Sequence, residues 1–270
     1  MADIYSDSLK LHYKLKGKLE IRSKSRLSSK RLLALNYTPG VAQPCREIFK
    51  DPKKVFDLTI KNNTVAIVTD GSRVLGLGNI GAEAALPVME GKAAIFKEFA
   101  GINAFPICIK SQELSAIVET VRQISPVFGA INLEDIEAPK CFEVARQLQD
   151  LGIPVMHDDQ HGTAVVVLAA LLNASKVVKK NFSELNVVIN GAGAAGIAIA
   201  RLLLCIGVGK KISESVKSVV LVDSKGIIFD GRGDLNDEKK MIAKYTNPKK
   251  ISGSLADAIV GADVFIGVRH

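Results

Sequence analysis

Cysteine is scarce in this sequence, and the spacing of the four cysteines argues against the sites that cysteine usually builds. They are Cys45, Cys108, Cys141 and Cys205. No pair shares a Cys-x-x-Cys spacing and none lies beside a histidine. We therefore expect neither a structural zinc site nor a disulfide framework.

Long apolar runs are lacking as well. Asp3 and Asp7 interrupt the start of the chain, where a secretory signal would be apolar, and no stretch is long enough to span a bilayer. We expect a soluble, cytoplasmic protein with no membrane partner.

Aromatic residues make up only 5% of the sequence. None lies in the basic segment from Lys14 to Arg31, the densest cluster behind the formal net charge of +8. This segment could be a targeting or nucleic-acid patch. The lack of aromatic residues to stack on bases favours a solvated helix face and loop, and no nucleic-acid partner. The positive charge suits an anionic substrate and cofactor.

Residues 1-178 are predicted to form an α/β domain with a three-layer parallel sheet. Hydrophobic residues make up 47% of the 270-residue chain, enough for one large domain or two ordinary ones. Short apolar runs alternate with helical patterns, which indicates parallel strands covered on both faces. The predicted strands are 64–69, 104–110, 127–133 and 153–157, and the predicted helices are 81–100, 112–124, 139–151 and 163–178.

The pattern restarts after the polar segment 179–183, and residues 179-270 are predicted to form part of a Rossmann NAD(P)-binding domain. The predicted elements are strands 186–190, 218–222 and 263–268 and helices 194–206 and 255–260. These make one βαβαβ half of a doubly wound fold. We therefore expect the chain to be incomplete relative to its fold.

A glycine-rich fingerprint for a dinucleotide lies between a predicted strand and a predicted helix. It consists of Gly191, Ala192, Gly193, Ala194, Ala195 and Gly196. The glycines allow a tight turn, close approach of a pyrophosphate and close packing of helix on strand. Asp223 ends the next predicted strand, where a ribose hydroxyl is usually bound, and it favours NAD over NADP. Ser224 and Lys225 could nevertheless tolerate a 2′-phosphate.

A second G-x-G-x-x-G match at Gly76–Gly81 is interpreted differently. The strand predicted after it ends in Lys110, so no acid is available for a ribose. We predict a tight active-site loop there.

Two neighbouring predicted strands each run into a pair of acids, Glu134-Asp135 and Asp158-Asp159. Parallel strands joined by one helix present their carboxyl ends at the same sheet edge. A divalent cation would relieve the repulsion among these carboxylates, and oxygen ligands favour Mg²⁺ or Mn²⁺. One of the last two acids could instead cap the helix that begins at Thr163.

Lys92 lies on the apolar face of its predicted helix. Val88 and Met89 precede it by one turn, and Ile95 and Phe96 follow it by one turn. A desolvated ammonium has a lowered pKa and can act as a general base. A lysine that snorkels at the edge of the stripe is the alternative.

Together these segments resemble the malic enzyme family, especially its shorter prokaryotic members. The matching segments, in chain order, are 37–42, 76–81, 90–93, 132–136, 157–163 and 191–196. The resemblance implies oxidative decarboxylation of malate to pyruvate with reduction of NAD or NADP. It also implies a homo-oligomer.

The resemblance further implies a role for particular residues. Tyr37 would be the general acid and Lys92 the general base, with Asp158 tuning Lys92. Arg73 would bind a malate carboxylate. The metal ligands would be Glu134, Asp135 and Asp159.

The family pattern continues past strand 263–268 with further cofactor loops, and Arg269 and His270 do not match that continuation. We expect a truncated chain that keeps the metal and the tyrosine–lysine site but binds the nicotinamide poorly and turns over slowly or not at all. The rival enzyme hypotheses are a related metal-dependent 2-hydroxyacid dehydrogenase and a malolactic enzyme, which uses the same residues and returns lactate. A different hypothesis is a non-catalytic remnant that binds a dinucleotide or serves in assembly.

Overall fold

The computed structural model describes residues 3–207 and 214–268. Arg269 and His270, which depart from the family pattern, lie outside the described residues. The chain divides into two compact units. The first comprises the described residues up to Ile136 together with Gln147–Val155, and the second comprises Glu137–Arg146 and the described residues from Met156 onward. The domain boundary predicted after residue 178 stays a prediction.

Four helices precede the first strand. They are α1 (Ile4–Leu15), α2 (Lys30–Asn36), α3 (Ala42–Lys50) and α4 (Val55–Leu58), and none of them contains a buried residue. The carboxylate of Asp3 caps α1 and the hydroxyl of Ser29 caps α2, by accepting backbone N–H groups of the first turn. The basic segment is thus the end of α1, a loop and the start of α2, as the favoured interpretation predicts.

The first sheet contains the four predicted strands in the order β2-β1-β3-β4. They are β1 (Thr64–Thr69), β2 (Asn103–Cys108), β3 (Ala130–Leu133) and β4 (Val155–His157). β1 pairs in parallel with both β2 and β3, and every residue of β1 is buried. β3 begins later than predicted because Ser125–Val127, with Pro126 inside it, forms a 3-10 turn.

The helices that follow along the chain are α5 (Gly81–Ala100) and α6 (Leu114–Ile124) in the first unit and α7 (Lys140–Gln147), of which all but Gln147 belongs to the second unit. The bounds of α5 are those predicted. Met89 and Ala93 of α5 pack against Ile67 of β1 and Ala104 of β2. This contact fixes the helix that carries Lys92 against the middle of the sheet.

The second unit contains a sheet in the order β7-β6-β5-β8. From Thr163 onward, the helices and strands of this unit are, in chain order, α8 (Thr163–Val177), β5 (Asn186–Asn190), α9 (Ala194–Leu203), β6 (Ser218–Asp223), β7 (Gly226–Ile227), α10 (Asp237–Ala243), α11 (Leu255–Ile259) and β8 (Val264–Gly267). β6 and β8 both run parallel to β5 and flank it. The strand order therefore reverses at β5, and the crevice beyond the ends of β5 and β8 is where open α/β sheets bind ligands.

The described residues form no helix that is both long and apolar enough to cross a bilayer.

Asp263, immediately before β8, joins the start of that strand to the start of β5. Its carboxylate accepts hydrogen bonds from the backbone N–H of Asn186 at 2.9 Å and from Lys180 Nζ at 2.5 Å. The bond from Lys180, together with that from Asn186, lowers the pKa of Asp263 from 3.8 to about 2. A carboxyl whose pKa is lower in the folded state stabilises the fold above its ordinary pKa and loses this effect as the pH falls through the folded value.

We therefore expect Asp263→Asn to lower the free energy of unfolding by about 1 kcal/mol at pH 7, the net value of a typical hydrogen bond. The difference from the wild-type chain should shrink as the pH falls from 3.8 toward about 2. Urea unfolding at several pH values measures it. A difference that stays constant over this range would contradict the assignment.

Candidate active site

Glu134 lies at the carboxyl end of β3 and is only 5% exposed. Its backbone N–H donates to the carbonyl of Val68 on β1. One carboxylate oxygen, Oε2, accepts a hydrogen bond from Asn132 Nδ2 at 2.8 Å, and the other, Oε1, lies 3.0 Å from Lys92 Nζ. A buried carboxylate is thus held from two sides, by an amide and by an ammonium.

Lys92 does not lie in a wholly apolar stripe. Met89, one turn before it, is fully buried, but Ile95, one turn after it, is 52% exposed. The Lys92 side chain is 23% exposed and reaches Glu134. The lysine therefore lies at the edge of the stripe, as the snorkelling alternative describes, and its head group ends beside a carboxylate rather than in open solvent.

Asp135 adopts a left-handed backbone conformation, with φ of 53°. Its side chain is buried, and its carbonyl accepts the backbone N–H of Arg73 at 3.0 Å. An oxygen of Asp135 lies within 4.8 Å of an oxygen of Glu134. The loop that carries Arg73 is thereby fixed next to two adjacent carboxylates.

Asp70, directly after β1, is a candidate site residue that was not among those predicted from the sequence. It is completely buried, and its carboxylate accepts both the backbone N–H and the hydroxyl of Ser72, at 3.0 and 2.6 Å. Its sequence signal is the one used for Glu134, an acid immediately after a buried strand. It lies at the same edge of the sheet because β1 and β3 are parallel.

The loop between β1 and α5 is tight, as predicted for the second glycine motif. Val74 donates its N–H to the carbonyl of Gly78, and the N–H groups of Ile80 and Gly81 converge on the carbonyl of Gly71. Arg73 is exposed in this loop.

Tyr37 lies at the C-terminal end of α2 and is 67% exposed. Its backbone N–H donates to Leu33 and its carbonyl accepts from Val41. The structure brings Lys92, Glu134 and Asp135 together, whereas the Tyr37 side chain projects from the surface of the chain.

Asp158 and Asp159 belong to a π-helical turn, Asp158–Gly162, that leads into α8. The cap positions of this turn and of α8 are His157 and Gly162, so neither aspartate is the predicted N-cap. Asp158 instead folds over its own turn, where a Cβ on Gly162 would meet Asp158 Oδ1 at 2.3 Å. An Oδ2 of Asp159 lies 3.8 Å from Nε2 of the buried His157. π-turns of this kind occur frequently at functional sites.

Cys141, in α7, is a poor candidate for chemistry. Burial raises the pKa of the Cys141 thiol to about 12, and the negative charge of Asp159 adds to this effect. A thiol that stays protonated is neither a nucleophile nor a metal ligand.

Glu134 and Asp135 suit a divalent cation, because both are buried carboxylates that offer oxygen atoms close together. Such hard ligands match Mg²⁺ or Mn²⁺. Asp159 belongs to the second unit, and its side chain is 42% exposed.

The glycine fingerprint has the predicted strand-turn-helix geometry. Gly191 has φ of 125°, and its N–H donates to the carbonyl of Val222. α9 then begins at Ala194 with Gly193 at its N-cap and no side-chain cap. The first N–H groups of α9 are therefore not satisfied by a capping side chain and suit an anion. A Cβ on Gly196 would lie 1.7 Å from the carbonyl oxygen of Gly191, so only glycine fits there.

Asp223 ends β6 beside a cavity of about 520 Å³. Its carboxylate is bound by Arg232 at 2.5 Å, by Lys239 Nζ at 2.7 Å and by the backbone N–H of Lys225 at 2.9 Å. Burial alone would raise the pKa of Asp223, but the hydrogen bonds from Arg232 and Lys239 hold it well below its usual range. Neither ion pair could be predicted from the sequence, because Arg232 and Lys239 follow Asp223 by 9 and 16 positions.

Two family models match the sequence. Residues 16–115 match the malic enzyme N-terminal domain, and residues 160–269 match the malic enzyme NAD binding domain.

Curated proteins that are similar to the chain are named as malic enzymes. The chain is 53% identical over 264 residues to the bifunctional malic/malolactic enzyme of Bacillus subtilis, covering 97% of this chain and 62% of that protein. It is 52% identical to the NAD-dependent malic enzyme of Geobacillus stearothermophilus, covering 93% and 51%. The NADP-dependent malic enzyme of Escherichia coli is 46% identical, covering 93% and 32%.

The chain also resembles solved structures of malic enzymes. The NAD-dependent malic enzyme of Thermotoga maritima superposes with a TM-score of 0.91 at 49% identity, covering 97% of this chain and 68% of that one. The Pyrococcus horikoshii malic enzyme gives 0.89 at 45% identity, covering 99% and 63%. The chain thus spans about half to two thirds of the length of these curated bacterial relatives and solved structures, except for the E. coli protein, of which it spans about a third.

Proposed function

Because the chain belongs to the malic enzyme family, we propose that it acts in the oxidative decarboxylation of L-malate to pyruvate and CO₂, with reduction of NAD or NADP. The observation that carries this proposal is the cluster of Lys92, Glu134 and Asp135 at the carboxyl edge of the first sheet. The glycine fingerprint supplies the second requirement, a place for the dinucleotide.

Glu134, Asp135 and Asp159 are proposed to bind Mg²⁺ or Mn²⁺. The burial of the first two and their oxygen donors support this choice. When bound there, the cation would make the malate hydroxyl more acidic and polarise the carbonyl group that replaces it on oxidation.

The proposed general base is Lys92, and the proposed general acid is Tyr37. Lys92 Nζ, beside Glu134, would act as the neutral amine and accept the proton of the malate hydroxyl as hydride leaves the same carbon for the nicotinamide. After CO₂ departs, the Tyr37 hydroxyl would protonate the enolpyruvate carbon. Arg73 would bind a malate carboxylate with its guanidinium. Asp158 would bias the protonation of Lys92 by its negative charge.

The proposed cofactor is NAD, because Asp223 lies where a ribose hydroxyl is usually bound. The backbone from Gly191 to Gly196 would carry the pyrophosphate. NADP is the second candidate, and one observation favours it: Arg232 and Lys239 form ion pairs with Asp223, so cations are at hand for a 2′-phosphate.

The proposed partners are small molecules, malate and pyruvate, and further copies of the chain. A malolactic reaction is the second candidate reaction, favoured by the 53% identity to the Bacillus subtilis protein whose name includes it. That reaction returns lactate and shows no net reduction of added NAD.

The test is the absorbance of reduced nicotinamide after L-malate, NAD and Mn²⁺ are added. We expect metal-dependent reduction with pyruvate as product, complete loss of the signal with EDTA, and a weaker signal with NADP. Lactate formed without net reduction would favour the malolactic reaction.

The alternative of a chain with weak or no turnover is tested by calorimetry on the same sample. Binding of Mn²⁺ and NAD without turnover would support it. Absence of both binding and turnover would contradict the proposed function.

A further inference from the structure

Asn132 is a buried amide that contacts a catalytic carboxylate and has no role in the reaction described above. It lies on β3, is 3% exposed, and precedes Glu134 by two residues. Its Nδ2 donates to Glu134 Oε2 at 2.8 Å. Residues two apart on a strand point to the same face of the sheet, so the strand itself places the amide beside the carboxylate.

The two oxygens of Glu134 consequently have different partners. Oε2 is held by the neutral amide of Asn132, and Oε1 lies 3.0 Å from the Lys92 ammonium. Both Asn132 and Glu134 are almost wholly buried, so water does not compete strongly for either hydrogen bond. The rotation of the carboxylate about its last bond is fixed by this pair of contacts.

We propose that Asn132 is a positioning residue that holds Glu134 for one-oxygen binding of a small divalent cation; this rests on the metal site of the proposed function. With Oε2 held by the amide, Oε1, which lies beside Lys92, is the oxygen that would bind the cation. Mg²⁺ and Mn²⁺ require regular octahedral geometry with one oxygen from each carboxylate. Ca²⁺ accepts irregular geometry and two oxygens from one carboxylate. Asn132 therefore selects for the smaller ions.

The experiment measures the dissociation constants of Mg²⁺, Mn²⁺ and Ca²⁺ by calorimetry on the full chain and on two variants. Asn132→Leu replaces the amide by two methyl groups with the same branching, and Asn132→Ala removes both the amide and its bulk. Loss of a hydrogen bond to a metal ligand commonly weakens binding about 10- to 100-fold. We expect this loss for Mg²⁺ and Mn²⁺ in both variants, and a distinctly smaller change for Ca²⁺.

Thr64→Val is the matched control for loss of a buried polar group in the same sheet. Thr64 is 2% exposed on β1, and its hydroxyl donates to the carbonyl of Ile60 at 2.6 Å. Thermal unfolding of all variants is recorded in parallel. The control is expected to lose stability without changing the preference for Mg²⁺ over Ca²⁺.

The outcomes separate this inference from the proposed function. One result overturns the role of Asn132 and leaves the metal site in place. In that result the wild-type chain binds Mn²⁺, Glu134→Gln abolishes binding, and the Asn132 variants bind all three ions as the wild type does. Equal weakening for all three ions, matched by Thr64→Val, also overturns it. If the wild-type chain binds none of the ions, the metal site and the inference both fall.

Discussion

Gly196→Ala is expected to lower the affinity for NAD by about 10- to 100-fold and to destabilise the second unit. The added Cβ would lie 1.7 Å from the carbonyl oxygen of Gly191, so α9 must move away from the turn that β5 leads into. Such overpacking costs about 1–3 kcal/mol. The displaced N–H groups at the start of α9 lose a hydrogen bond to a charged phosphate, worth about 1.5–3 kcal/mol. Calorimetry with NAD and thermal unfolding measure the two effects.

Two other glycines serve as controls for this substitution. A Cβ on Gly193 meets nothing in the protein, so Gly193→Ala should fold normally and weaken only the binding of the dinucleotide, whose pyrophosphate approaches there. Gly233 is exposed and equally open, and Gly233→Ala should change neither property. Wild-type affinity for NAD in a folded Gly196→Ala chain would exclude the fingerprint as the dinucleotide site.

Glu134→Gln is expected to reduce the affinity for Mn²⁺ by at least about 100-fold, beyond the usual effect of losing a residue that merely supports a ligand. The amide has almost the same shape but lacks the negative charge that attracts the cation. Electron paramagnetic resonance of free Mn²⁺ gives the affinity directly. Malate oxidation, where the chain shows it, should fall in parallel.

Lys92→Met and Asp150→Asn are the matched variants for this experiment. Lys92→Met removes the ammonium that lies 3.0 Å from Glu134 Oε1, so Mn²⁺ should bind at least as tightly as in the wild-type chain. Asp150 is an exposed carboxylate paired with Arg122, and its neutralisation should have no effect. Equal losses of Mn²⁺ affinity for Asp150→Asn and Glu134→Gln would mean that the affinity depends only on the net charge of the protein.

The sequence was sufficient to predict the parts of the fold that depend on local pattern. β1 and α5 have the predicted bounds, because a fully buried strand and a 20-residue helix give strong periodic signals. The convergence of Glu134 with Lys92 was implied only by the family resemblance, which gave both residues roles in one site. The position of Lys92 at the edge of the apolar stripe could not be predicted from the sequence, because the exposure of Ile95 depends on tertiary packing.

Contacts between residues far apart in sequence could not be predicted. Arg232 and Lys239 reach Asp223 only because the chain turns back through β7, which has two residues and no periodic signal. Asn132 was visible in the sequence but could not be distinguished from an ordinary strand residue without its hydrogen bond. α10 escaped prediction because its polar sequence buries only Glu238, Ile242 and Ala243.

The left-handed backbone of Asp135 restricts how this position can change during evolution. A φ of 53° is tolerated by glycine, asparagine and aspartate and is costly for most other side chains. Glutamate would supply an equivalent oxygen, yet it lacks the short polar chain that favours this conformation. Of the three residues that tolerate it, only aspartate carries a charge. The changes that leave the backbone undisturbed are therefore to asparagine or glycine, and a lineage that takes either would keep the fold while losing the negative charge proposed to bind the cation.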